Sequence, residues 1–173
     1  LATALIKDFP EYYPWFSEKE FTYNKITQHN RNTLLSRDES VDGVKTGHTE
    51  EAGYCLVASA LRNGMRLISV AMGTENEAAR ANTNQALLNY GFRFFESHRL
   101  YEGKKAIQEA RIWKGDSEAL PLGLADDLYV TIPRRRYNEL KASVNLDKQI
   151  LAPVKAGAKL GTVHVKLKDD AVA

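Results

Sequence analysis

Hydrophobic residues are concentrated in two nearly continuous runs, residues 54–61 and 66–73, which predict strands buried on both faces of a sheet. Asn63-Gly64 lies between the runs and predicts a tight hairpin turn, because both residue types tolerate positive φ. A helical pattern covers residues 76–90, and Gly91 is predicted to end that helix. The pattern therefore predicts an antiparallel hairpin followed by a helix that packs on the same sheet.

The region before these runs gives weaker patterns. Residues 1–8 have helical spacing, residues 9–21 are aromatic and broken by two prolines, and residues 21–26 predict a short strand. The aromatic stretch is typical of a loop packed by its own rings. Because the first helical pattern has no initiator methionine or capping residue before it, we expect the chain to be a piece of a longer protein.

Beyond Glu96 the pattern changes to short apolar segments separated by turns. The change in composition over residues 96–103 predicts a boundary, with one domain over residues 1–96 and a second over residues 97–173. Many short strands at this spacing predict a small all-β second domain. The predicted strands cover residues 105–113, 128–132, 141–144, 150–152 and 160–166. The predicted fold is α+β, an antiparallel sheet with packed helices followed by a small all-β domain.

A polar run, residues 41–49, precedes the apolar hairpin and carries the candidate chemistry. An exposed strand edge offers unpaired N–H and C=O groups to an extended peptide. On such an edge Lys45 supplies a positive charge, Thr46 supplies a hydroxyl group, and Gly47 lets a ligand approach the backbone. The alternative is a solvated edge strand with an ordinary lysine, and the chemistry alone favours that alternative.

A longer string around this strand makes the signal more specific. Lys45-Thr46-Gly47 matches the third motif of the penicillin-recognising serine enzymes, although a bare tripeptide is weak evidence. Further similar segments are residues 42–49, 52–54, 56–60, 65–69, 72–73 and 90–96, with residues 21–24 and 30–32 upstream. Together they resemble the low-molecular-mass D-alanyl-D-alanine carboxypeptidases of the penicillin-binding protein 5 and 6 type. The resemblance implies part of a penicillin-binding, β-lactamase-like transpeptidase fold.

The resemblance also implies a reaction. These enzymes remove the terminal D-alanine from peptidoglycan stem peptides through an acyl-enzyme on a serine, and β-lactams inhibit them. The family also has a Ser-x-x-Lys and a Ser-x-Asn motif. No serine in this chain is followed by a lysine three residues later, so the first motif is lacking, and no Ser-x-Asn segment precedes Lys45. The segments that imitate the two motifs, residues 22–25 and 143–145, lie in a predicted non-catalytic strand and in the predicted second domain. We therefore expect the nucleophilic serine upstream of this chain.

Five residues receive roles from the resemblance. Lys45 would be the catalytic residue of this chain, attracting the terminal carboxylate of the substrate and favouring proton transfer. Thr46 would donate a hydrogen bond to that carboxylate, and Gly47 would allow close approach. The backbone N–H of His48 would be one oxyanion-hole donor, and the absent serine would supply the other. Arg80 would lie at the carboxylate end of the cleft, with a helix-surface charge as the equal alternative.

Two other basic positions have open interpretations. Arg31 either pairs with a carboxylate at the surface or, as the resemblance suggests, lies beside the cleft. Arg134-Arg135-Arg136 is most simply a solvated turn, with contact to a membrane surface or a polyanion as the alternative.

Composition excludes several other classes of function. The 24 Lys and Arg residues nearly balance the 22 Asp and Glu residues, and a net charge of +2 argues against a nucleic-acid surface. The four histidines have no metal-ligand spacing, so neither a metal nor a cofactor is expected. The single cysteine, Cys55, is expected to be a small core residue. No apolar run approaches the length of a membrane span.

Three classes of function remain. The serine carboxypeptidase is favoured over a class A β-lactamase, because β-rich sequence continues after the predicted helix, where such β-lactamases would end. A non-enzymatic fragment or interaction module is the third, since the chain carries no nucleophile of this type. For the carboxypeptidase, the resemblance implies a periplasmic protein attached to the inner membrane surface through a missing C-terminal anchor. Its partners would be stem peptides and β-lactams.

Overall fold

The computed structural model describes residues 1–147 and 149–173. They form two compact units, Leu1–Phe94 and Phe95–Ala173. The first unit contains helices α1 (Ala2–Asp8), α2 (Leu34–Arg37) and α3 (Glu77–Phe94), a 3-10 helix (Tyr13–Ser17), and strands β1 (Glu20–Tyr23), β2 (Ile26–His29), β3 (Val41–Thr49), β4 (Gly53–Arg62) and β5 (Met65–Thr74). No helix in the described part of the chain is long and apolar enough to cross a bilayer.

The centre of the first unit is an antiparallel sheet with strand order β3-β4-β5. Asn63 and Gly64 connect β4 to β5 with positive φ angles of 49° and 78°, so the predicted turn is confirmed. The expectation that both apolar strands are buried on both faces is wrong for β5, because Val70 and Met72 are 53% and 73% exposed. Their neighbours Ser69 and Ala71 face α3 and are buried, which shows that one face of β5 is covered and the other is open.

Helix α3 covers one face of β4 and β5. Asn76 caps its first turn, since its Oδ1 accepts a hydrogen bond from the Ala79 N–H at 2.8 Å. The prediction that Gly91 ends the helix is wrong, because the helix continues to Phe94. A Cβ atom on Gly91 would collide with the Leu67 side chain on β5. The glycine therefore permits close packing of helix against strand.

The core of this unit is aliphatic with one polar cluster at its centre. Its buried members are Leu34, Leu35, Val41, Leu56, Ala58, Ala60, Ala81 and Leu88. Asn84 of α3 is fully buried beside them and accepts a 2.6 Å hydrogen bond from the Ser69 hydroxyl group. The Asn84 side-chain amide donates to the carbonyl oxygens of Leu56 and Arg80 at 3.2 Å and 2.8 Å. Asn84 thus ties the helix to both β4 and β5.

A second polar cluster holds the end of α2 against β4 and α3. Arg62 donates to Asp38 Oδ2 at 2.6 Å, and Gln85 donates to the same oxygen at 2.8 Å. Burial alone would raise the pKa of Asp38, but hydrogen bonds from Ser40, Gln85 and Arg62 outweigh burial and lower it to about 2. The ionised Asp38 therefore fixes the segment from which β3 begins.

Strands β1 and β2 form a separate antiparallel hairpin. The predicted single strand over residues 21–26 is wrong, because Asn24 and Lys25 form the turn with φ angles of 49° and 63°. Two consecutive residues with positive φ give the tight turn that joins adjacent strands. The sequence obscured this turn because lysine is an uncommon residue in the left-handed region.

The second unit consists of short strands around a small core. They are β6 (Phe95–Tyr101), β7 (Ala106–Trp113), β8 (Ala119–Gly123), β9 (Leu128–Pro133), β10 (Leu140–Leu146), β11 (Ile150–Leu151), β12 (Gly161–Leu167) and β13 (Asp170–Ala171), in sheets ordered β6-β9, β11-β7-β8 and β10-β12-β13. Its buried cluster is Val130, Ile132, Val165 and Leu167. The predicted boundary after Glu96 falls inside β6, which the sequence did not reveal as a strand. The α+β prediction, with a β-rich second part, is confirmed.

Replacing Asn84 with alanine should lower the free energy of unfolding by about 1–3 kcal/mol, because the Leu56 carbonyl oxygen and the Ser69 hydroxyl group lose a buried partner. Urea unfolding of the complete protein measures the change. Thr83→Ala, on an exposed position of the same helix, should change stability by less than about 0.5 kcal/mol. Equal effects of the two substitutions would contradict the role given to Asn84.

Candidate active site

Strand β3 lies at the edge of its sheet, and in the described chain only β4 pairs with it. Lys45, Gly47 and His48 are exposed on this strand, and Thr46 is half-buried. The Lys45 ammonium group donates a hydrogen bond to the Thr46 carbonyl oxygen at 2.6 Å. The strand therefore presents a cation and an open backbone edge at the same place, which are the two features that an extended peptide with a terminal carboxylate requires.

A cavity of about 710 Å³ beside β3 brings together all five predicted site residues: Lys45, Thr46, Gly47, His48 and Arg80. Arg31 also lines this cavity, in agreement with the second of its two interpretations, a position beside the cleft. Three cationic side chains against a single carboxylate, that of Glu77, make the lining positive. The lining chemistry thus favours an anionic ligand group.

The guanidinium group of Arg80 is buried beneath β3 and is only 2% exposed. It donates to the carbonyl oxygens of Gly47 at 3.4 Å and Arg31 at 3.3 Å, and it pairs with Glu77 at 3.0 Å. The helix-surface alternative for Arg80 is therefore wrong. A buried cation requires partners for its donors, and here the partners include backbone atoms of two segments that line the cavity.

Gly47 and His48 pair with Cys55 and Tyr54 of β4, and both remain exposed to solvent. A Cβ atom on Gly47 would meet only the Cys55 Cβ atom, at an ordinary 3.8 Å, so packing within the chain does not require glycine at this position. The His48 ring lies 4.0 Å from the ring of Tyr54, its partner across the strands. The absence of a side chain at Gly47 therefore leaves the strand open at this position.

A polar network that the sequence did not predict supports the start of β3. Tyr13 donates to Asp42 at 2.8 Å, and Arg66 donates to Asp42 at 2.8 Å and to the Ser59 hydroxyl oxygen at 2.7 Å. Burial, the largest effect, raises the pKa of Tyr13 to about 12 and keeps its phenol protonated as a donor. Gly43 leaves the space that the Tyr13 hydroxyl group fills.

Other candidate groups lie apart from this arrangement. Cys55 is only partly buried, contrary to the core position expected for it. No group of three metal-ligand side chains occurs among the described residues. In the second unit, Arg136 pairs with Glu139 at 2.8 Å and Arg134 lies 3.7 Å from Glu96, as in an ion-paired surface turn.

The second unit contains a larger cavity of about 810 Å³. Its lining combines aliphatic side chains with Lys104, Lys105, Lys155 and Lys159, and the described residues around it include neither a carboxylate nor a histidine. None of the five predicted site residues lines this cavity. All five line the smaller cavity at β3, which is therefore the candidate active site.

Comparison with known proteins identifies both parts of the chain. Residues 1–76 match the family model described as D-alanyl-D-alanine carboxypeptidase, and residues 95–173 match that of the penicillin-binding protein 5 C-terminal domain. The chain is 45% identical over 174 residues to the D-alanyl-D-alanine carboxypeptidase DacC of Escherichia coli, covering 99% of this chain and 44% of that protein. It thus spans less than half the length of this curated relative.

Solved structures agree with the sequence matches. Penicillin-binding protein 5 from Haemophilus influenzae is similar with a TM-score of 0.88 and 43% identity, over 99% of this chain and 51% of that one. Penicillin-binding protein D2 from Listeria monocytogenes, in a cefotaxime-bound form, is similar with a TM-score of 0.50 and 34% identity, over 53% of this chain and 37% of that one. The chain therefore belongs to the family of D-alanyl-D-alanine carboxypeptidases of the penicillin-binding protein 5 type.

Proposed function

We propose that this chain forms the Lys-Thr-Gly wall of the active site in a serine-type D-alanyl-D-alanine carboxypeptidase. The substrates are peptidoglycan stem peptides, from which the enzyme removes the terminal D-alanine. The observation that carries the proposal is the open edge of β3, with Lys45, Arg31 and Arg80 around one cavity. An extended peptide that ends in a carboxylate matches both the strand edge and the positive lining.

Each residue of the wall has a distinct role in this proposal. Lys45 attracts the substrate's terminal carboxylate and favours proton transfer in the cleft, and Thr46 donates a hydrogen bond to that carboxylate. Gly47 leaves room for the substrate backbone. The backbone N–H of His48 stabilises the oxyanion of the tetrahedral intermediate. Arg80 is a positioning residue, because its donors reach the backbone of Gly47 and Arg31.

The remaining catalytic groups are proposed to lie outside these 173 residues. A serine hydroxyl oxygen there attacks the carbonyl carbon of the terminal peptide bond, and a neighbouring lysine accepts its proton. The D-alanine amine takes a proton as it leaves, and water then releases the shortened peptide from the acyl-enzyme. A β-lactam acylates the same serine, which makes the protein penicillin-binding.

The second unit has a different proposed role. It carries no predicted catalytic residue, and its residues 95–173 match a domain found in penicillin-binding protein 5. We assign it as a spacer or docking domain that holds the active site at a distance from the inner membrane surface of a periplasmic enzyme. For the second unit taken alone, the second candidate function is a non-enzymatic interaction module. The observation that favours this function is that the described residues around the 810 Å³ cavity include no acid–base pair.

Replacing Lys45 with alanine in the complete enzyme should lower kcat/KM for D-alanine release by a factor that corresponds to about 2–4 kcal/mol, because a charge-assisted contact in the transition state is lost. Lys45→Arg should also reduce the rate, since a planar guanidinium group does not replace a compact ammonium group. Lys7→Ala, at an exposed position of α1, is the matched control and should retain full activity. Near-normal rates in Lys45→Ala would contradict the proposed role of Lys45 and would leave β3 as an ordinary edge strand.

The 173-residue chain on its own should neither release D-alanine nor form a covalent adduct with a fluorescent penicillin, because the nucleophile is assigned to another segment. Gel fluorescence and intact mass measure the adduct, with the complete protein as the positive control. A stable adduct on any residue of this chain would show that the nucleophile has been placed wrongly.

A further inference from the structure

We propose that the apolar face of the β1–β2 hairpin is a subsite for the glycan strand that carries the stem peptide. The inference rests on the proposed function, because it extends the substrate from a peptide to a glycan-linked peptide. Its ligand is a chain of neutral amino sugars bound through the apolar faces of their rings.

The strand register separates the hairpin into two chemically different faces. Phe21 pairs with Gln28 and Tyr23 pairs with Ile26, which puts these four side chains on one face. Glu20, Thr22, Thr27 and His29 share the other face through the alternate pairs. One face is therefore apolar and uncharged, whereas the other is polar.

The apolar face lacks an internal partner in the described chain. Phe21, Tyr23 and Ile26 are 68%, 76% and 62% exposed, although burial of such side chains is normally favourable. Isolated exposed hydrophobic residues need no explanation, but a contiguous face of three is typical of a binding surface.

The hairpin is built to hold this face in place. Thr22 and Thr27 hydrogen-bond across the polar face at 2.8 Å. Asn30 closes the base of the hairpin, because its backbone N–H donates to the Lys19 carbonyl oxygen at 2.8 Å and its side-chain amide donates to the Glu18 carbonyl oxygen at 2.9 Å. A surface fixed by such bonds loses little entropy when a ligand binds.

The same face continues into the candidate active site. Gln28, which shares the face with Phe21, lines the 710 Å³ cavity together with Lys45. Trp15 also lines that cavity, is 68% exposed, and lies 5.2 Å from the ring of Tyr12. An aromatic and amide surface thus extends from the positive cavity onto the hairpin.

The chemistry of this surface fits sugars better than ionic ligands. Aromatic rings offer flat apolar area, and the amide group of Gln28 can donate to or accept from hydroxyl and acetamido groups. The four residues of the face carry no charge, so a charged partner would find no complement there. A stem peptide held at β3 is covalently attached to such a sugar strand.

The test compares a glycan-linked stem peptide with the same peptide lacking sugars, in the complete enzyme. Tyr23→Ser should lower kcat/KM for the glycan-linked substrate about five- to tenfold relative to the sugar-free peptide. Tyr23→Phe keeps the ring and should retain the ratio. Glu20→Gln, on the polar face, is the matched control and should also retain it.

Each of the following outcomes would contradict the proposal that the hairpin face is a glycan subsite. An unchanged ratio in Tyr23→Ser, or an equal loss on both substrates, would show that the face does not recognise the glycan. A fall in Tm of the complete enzyme in Tyr23→Ser and not in Tyr23→Phe would show that the face packs against the protein itself. If the unaltered enzyme released D-alanine from neither substrate, the proposed function would fail first, and the inference would fail with it.

Discussion

The buried guanidinium group of Arg80 is the interaction on which the candidate site depends. Desolvating a cation is costly, so its donors must find acceptors. Here they find Glu77 and the carbonyl oxygens of Gly47 and Arg31, which belong to separate segments of the chain. The same contacts that satisfy the cation therefore hold the Lys-Thr-Gly edge and the Arg31 segment around one cavity. Loss of this group would leave two backbone segments without their common partner.

Helix α3 places that group, and small or polar residues place the helix. Ala81 and Gly91 let the helix lie close to the sheet, since a Cβ atom at Gly91 would collide with Leu67. Asn84 then fixes the helix through hydrogen bonds to Ser69 and to the Leu56 carbonyl oxygen. Packing density and buried hydrogen bonds thus determine where the edge that carries Lys45 lies, although none of these residues lines the cavity around Lys45.

The sequence revealed elements whose signals are local. The hairpin of β4 and β5 was predictable because Asn63-Gly64 separates two apolar runs, and the motif residues were predictable from the resemblance. Gly91 was misinterpreted because a glycine that ends a helix and one that permits close packing look alike in sequence. The burial of Arg80 was equally hidden, since a lone arginine is usually exposed. The catalytic roles of Lys45 to His48 stay predictions, because they depend on groups outside the chain.

The most direct test is a crystal structure of the complete protein acylated by a β-lactam. The account predicts an ester to a serine outside this chain, with the ligand carboxylate within hydrogen-bonding distance of the Thr46 hydroxyl group and the acyl carbonyl oxygen next to the His48 backbone N–H. A ligand bound away from β3, or bound to a nucleophile of this chain, would contradict it.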